Sequence, residues 1–137
     1  MRLSITVLAL IAGFANDDLR AQSAEARMLV QNSPLAGFQY YQGRGLWDKM
    51  KTGDTLTLTR EVGNPHDANA VRVEWRGQPL GYVPRRENRT VAQHMDRGVN
   101  VEARISRLQK HPNAWQRIEF EIFVILTVQN ATADERR

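Results

Sequence analysis

The chain contains no cysteine, which excludes a disulfide framework, a thiolate metal site and a cysteine nucleophile. A cysteine-free chain suits an oxidising compartment and the cytosol equally. Lysine is nearly missing: of 19 basic residues only Lys49, Lys51 and Lys110 are lysines. No glycine–lysine phosphate loop of the Walker type occurs, so ATP-driven chemistry has no foothold. The three histidines, His66, His94 and His111, are scattered. No His-x-His, His-x-x-x-His or paired-carboxylate spacing is present, so neither metal ligation nor acid–base catalysis is indicated. No cofactor is expected, and the chain reads as a non-enzyme. His66-Asp67 is the one acid–base-looking pair, and neighbours on a turn are more often a backbone-bonded aspartate beside a solvated imidazole.

What is present fits one small domain. The 137 residues, 42% of them apolar, can bury a single modest core. The net charge of +4 is carried almost wholly by arginine, whose planar fork of donors suits phosphate recognition. A GC-rich genome would write the same bias without any ligand. The N-terminus is distinctive. Arg2 precedes the uncharged run Leu3–Ala15, which has the charged start and length of a secretory signal and is too short to span a bilayer. Small-x-small sites follow at Gly13-Phe14-Ala15 and Ala24-Glu25-Ala26. Residues 1–26 are therefore expected to be a signal peptide or disordered leader, and no integral membrane segment remains once it is removed. With the signal the protein is expected in the periplasm, and without it in the cytoplasm. The competing reading is a buried first helix or strand.

From Met28 the chain reads as short strands. Met28–Gln31 begins the folded part, and Gly37–Tyr41 reads as an aromatic strand. Leu46, Trp47 and Met50 fall at helical spacing. Asp54 to Pro84 holds three strands: Thr55–Thr59 alternates Thr with Leu, Val71–Arg76 alternates apolar with charged, and Leu80–Val83 is closed by Pro84. Gly63–Asn69 and Arg76–Pro79 are turns. Val91, Ala92 and Met95 mark one helix face, with Asn88 as N-cap and Gly98 as its stop. Val99–Leu108 and Arg117–Leu126 complete the strands, and 129–137 is expected to be a disordered tail. Short strands at close spacing indicate a small closed or nearly closed barrel. Tyr40, Tyr41, Tyr82, Trp47 and Trp75 could stack bases, with Arg44, Arg60, Arg72, Arg85 and Arg86 near them in sequence, although most of these aromatics could equally be core.

Four runs, in order and spacing, resemble the HIRAN domain: Leu58-Thr59-Arg60-Glu61, Asn64-Pro65-His66-Asp67, Asn69-Ala70-Val71-Arg72-Val73 and Gly81-Tyr82-Val83-Pro84. Gly37-Phe38-Gln39-Tyr40-Tyr41-Gln42-Gly43 resembles it too. The resemblance covers roughly 29–126, inside an expected domain of 27–128. That family includes N-terminal modules of SWI/SNF-type helicases and free-standing bacterial proteins; any helicase activity belongs to fusion partners. The resemblance implies a mainly β fold, a small OB-like β-barrel of six or seven short strands with one or two short helices.

It also implies a pocket for the free 3′-hydroxyl end of single-stranded DNA. Tyr40 would stack on the terminal base, Asp67 would accept a hydrogen bond from the 3′-hydroxyl, and Tyr41, Asn64 and His66 would complete the pocket. Arg44, Arg60, Arg72 and Arg86 are the expected phosphate contacts. Two positions depart from the family pattern: Gln39 stands where an arginine is expected, and His66 where an aromatic is expected. The chain is thus read as a module for single-stranded DNA or another nucleic acid. The second reading is an exported β-barrel interaction module of the cell envelope, with a protein partner, that keeps the HIRAN fold without DNA binding.

Overall fold

Val71, Val73 and Trp75 are buried while Arg72 and Glu74 stay partly exposed, the outcome that a two-residue side-chain period dictates. In the computed structural model, which describes residues 23–41 and 43–129, this strand belongs to one antiparallel sheet of six. The strands are β1 (Ser23–Pro34), β2 (Thr55–Arg60), β3 (Val71–Trp75), β4 (Gln78–Tyr82), β5 (Val101–Leu108) and β6 (Ile118–Gln129), in the order β1-β6-β5-β2-β3-β4. A helical turn, α1 (Gly43–Leu46), leads into a 3-10 turn at Trp47–Lys49, and α2 (Arg89–Asp96) connects β4 to β5. No described helix is long and apolar enough to cross a membrane.

The sheet curls because its ladders carry extra residues. Val30 in β1, Leu80 in β4 and Ser106 in β5 each interrupt the pairing register, and such bulges bend a strand and raise its twist. The curl ends in closure. Just past β1, Ala36 and Tyr82 exchange both backbone hydrogen bonds, at 3.0 and 2.9 Å, so the two edges of the sheet, at β1 and β4, meet and a small barrel results. Gly81 permits this approach, since a Cβ there would overlap the Ala36 carbonyl. Inside lie Leu35, Phe38, Leu80, Ile105, Phe120 and Ile122, all essentially inaccessible to solvent.

Two connections follow their local chemistry closely. Arg76 and Gly77, with φ of 47° and 78°, form the two-residue turn between Trp75 and Gln78, the conformation that matches strand twist in a tight hairpin. Gly98, at φ 75°, ends α2, and the Gly98 and Val99 N–H groups return to the carbonyls of Met95 and His94. The helix seats Val91 and Ala92 in the core.

Other expectations are corrected. Gly37–Tyr41 is not a strand: Gly37 adopts the left-handed conformation (φ 78°) and Phe38–Tyr40 closes a 3-10 turn. The left-handed glycine turns the chain so that Phe38 enters the core, and Phe38 meets Trp47 with ring centroids 6.0 Å apart. β1 begins at Ser23, not Met28, so Ser23–Ala26, expected in the leader, pair with the end of β6. The run Leu3–Ala15 and the tail 130–137 lie outside the described residues.

Candidate nucleic-acid interface

The loop between β2 and β3 is held by its own side chains. Asn64 Oδ1 accepts the N–H groups of His66 (2.9 Å) and Asp67 (3.2 Å), and Asp67 Oδ1 accepts the N–H of Asn69 (2.9 Å). This is the Asx-turn chemistry that the Asn-Pro-x-Asp run anticipates. Two remote groups then tie the loop to the barrel. Arg60, at the end of β2, donates to the carbonyls of Ala68 (2.7 Å) and Ala70 (3.2 Å) and pairs with Asp96 on α2 (3.0 Å). Asn88, fully buried before α2, donates from Nδ2 to Asp67 Oδ2 at 2.7 Å. Asn88 occupies the N-cap position but its side chain makes no cap hydrogen bond; its amide N–H is directed to the Asp67 carboxylate.

Beside this loop is a pocket of about 340 Å³, lined by Tyr41, Asn64, His66, Asp67, Tyr82 and Arg85 together with Ala36, Ala70 and Val83. The size falls at the lower end of ordinary ligand sites. Tyr41 and Tyr82 meet at 6.1 Å with rings tilted by 58°. Burial first, and then the neighbouring Glu61 carboxylate and Tyr41 phenol, raise the Tyr82 hydroxyl well above the ordinary phenol range.

The expected site residues divide. Tyr41, Asn64, His66 and Asp67 share the pocket; Tyr40 does not line it. Tyr40 is 82% exposed and, with Tyr41, Gln78 and Pro79, walls a neighbouring recess of about 320 Å³. Tyr41 is the partition between the two. Gln39 buries its Oε1 without a hydrogen-bond partner among the described residues.

The arginines divide as well. The Arg60 side chain is only 13% exposed and is engaged as above. Arg72 pairs with Glu61 (3.0 Å) and Glu74 (2.7 Å). Burial alone would lower its pKa, but hydrogen bonding and charge from Glu74, and charge from Glu61, raise it. Arg86 is exposed, Arg44 lies on α1 with its side chain outside the described set, and Arg85 reaches the pocket wall. Trp75 is core, with its indole N–H on Asp54 at 3.0 Å.

Among the described residues no three His, Asp or Glu side chains gather as a metal site. A small β-barrel that presents a braced loop over a compact pocket is a binding module. The chain belongs to the HIRAN domain family, whose model matches residues 28–127. Two solved structures share the fold. One is a protein from Lactobacillus plantarum, 24% identical, with a TM-score of 0.65 over 74% of this chain and 98% of that one. The other is the HIRAN domain of human HLTF, 19% identical, with a TM-score of 0.54 over 72% of this chain and 78% of that one. No curated protein sequence matches the chain. Membership of the family supports a nucleic-acid-binding module.

Proposed function

We propose that this HIRAN domain binds single-stranded DNA by its free 3′-hydroxyl end. The supporting observation is the meeting of Tyr41, Asn64, His66, Asp67 and Arg85 around one pocket. Asp67 is held from both sides, by the Asn69 N–H on one oxygen and by Asn88 on the other. A carboxylate has about four acceptor sites, so capacity for a hydroxyl donor remains. A terminal phosphate in the same place would be repelled. The exposed Tyr40 ring supplies a face for the terminal base, an interaction worth about 1–3 kcal/mol per stacked base. Arg85 and Arg86 contact phosphates, while Arg60 and Arg72 hold the loop.

Fluorescence anisotropy with matched single-stranded DNAs ending in 3′-hydroxyl or 3′-phosphate, across a salt series, tests the reading. The hydroxyl end is expected to bind more tightly and to remain bound at moderate salt. Asp67→Asn preserves size and the acceptor for the Asn69 N–H but sets an amide nitrogen against Asn88 Nδ2, so Asn88→Ala serves as the control for the lost brace. Asp67→Asn is expected to reduce the end preference about tenfold, the effect of losing one charge-assisted hydrogen bond, and Asn88→Ala to keep it. Equal binding of the two ends, or a preference untouched in Asp67→Asn, would sink it.

A further inference from the structure

β1 and β6 continue past the barrel. β5 accompanies β6 only as far as Val124, so Ser23–Arg27 and Ile125–Gln129 form a ribbon with no third strand among the described residues. Residues opposite one another in an antiparallel pair lie on one face. Ala24, Ala26 and Met28 therefore share a face with Val128, Leu126 and Val124. Met28, Leu126 and Val128 are 49%, 43% and 46% exposed, an apolar strip that stops at an open strand edge. Such edges are commonly blunted by proline, lysine or a bulge. Ser23–Leu29 has neither proline nor lysine, and the bulge of β1 comes only at Val30.

The edge is complementary to itself. Outward-pointing backbone groups alternate along a strand, so a strand that pairs antiparallel with its own copy must place the two-fold axis on a residue. Centred on Arg27, the pairing sets Arg27 against Arg27 of the second copy; centred on Glu25, it sets Glu25 against Glu25. Centred on Met28, it leaves both charges without an opposite partner. Centred on Ala26, it sets Glu25 against Arg27 twice and Ala24 against Met28 twice, small against large, so the apolar strip runs on across the axis. Like charges directly opposite destabilise a strand pair and unlike charges support it. Within one copy Arg27 contacts Glu102 at 3.1 Å, with both side chains exposed; a surface pair of this kind exchanges partners at little cost. We propose that two copies of this chain pair through the β1 edge, centred on Ala26, and so merge their sheets.

Sedimentation velocity of the whole chain over a concentration series reads the dimer. Glu25→Arg and Arg27→Glu each place like charges in both symmetric pairs, and each is expected to weaken dimerisation by about tenfold or more. The double variant Glu25→Arg/Arg27→Glu restores it, and an equimolar mixture of the two single variants forms the heterodimer. Glu102→Gln removes the contact within one copy and leaves the dimer unchanged. A monomer at every concentration, or a dimer indifferent to both single swaps, overturns the proposal.

Discussion

Arg60 holds the loop of the pocket and Arg85 lines its wall, and the two spend their guanidinium groups in opposite ways. Arg60 is bonded to two carbonyls and a carboxylate within the protein, whereas Arg85 is exposed. The same contrast runs through the whole site. Arg60, Asn88, Arg72 and Gly81 belong to a braced half, whose bonds and close contacts are to the protein itself, and Asp67 sits at the boundary, bonded to the brace and lining the pocket. Tyr40, His66, Arg85 and Arg86 belong to an open half, exposed to solvent. Arginine content is therefore a poor measure of ligand-binding capacity, and an account of where each donor already points is a better one.

Substitutions in the two halves should separate cleanly, with stability lost in one and affinity in the other. The largest effect is expected at Gly81→Ala, which drives a methyl into the Ala36 carbonyl at the point of closure. It should cost about 3 kcal/mol or more in a urea melt, and an unchanged midpoint would mean that the barrel does not close tightly there. Arg60→Ala follows, at about 2 kcal/mol, because two loop carbonyls and Asp96 lose their donor together. Arg60→Lys should fail to rescue it, since one ammonium cannot reproduce the fork.

A smaller effect concerns pH. The Tyr82 hydroxyl is raised above its ordinary 10.0, so above that value the unfolded chain loses a proton that the folded one keeps. Stability is thus flat through neutrality and falls as pH rises beyond about 10, and Tyr82→Phe should flatten that fall in alkaline melts. Smallest in stability is Arg85→Ala, within about 0.5 kcal/mol of the parent, while its DNA affinity should drop with a salt slope shallower by about 1. Arg85→Ala destabilised as much as Arg60→Ala would erase the division between the halves.

Much of the barrel could be read from local pattern. The alternation in Val71–Trp75 and the Gly98 stop of α2 are dictated by nearest neighbours and occur where expected, while the turn expected over Arg76–Pro79 tightens to Arg76-Gly77, with Gln78 and Pro79 already in β4. Misreadings arose where distant contacts outweigh local preference. Phe38, Tyr40 and Tyr41 favour strands by type, yet Gly37 turns the chain and the core claims Phe38. Ser23–Ala26 has weak strand propensity of its own and is extended because Leu126–Gln129 pairs with it. Asn88 carried a misleading signal: residue type and place indicate a helix cap, while its partner is an aspartate in a loop 21 residues earlier. Likewise, nothing local distinguishes Arg60 from Arg85, because the acceptors that occupy Arg60 are assembled only by the fold.

The pairing of β1 with β6 also governs how the protein comes into being. Ser23 lies opposite Gln129, about a hundred residues away along the chain, and such long-range pairing makes β-rich domains slow to fold. The first strand has no partner within the sheet until the last has left the ribosome. During synthesis the apolar face of β1 must wait, exposed, and the barrel closes only once β6 is available to pair with it.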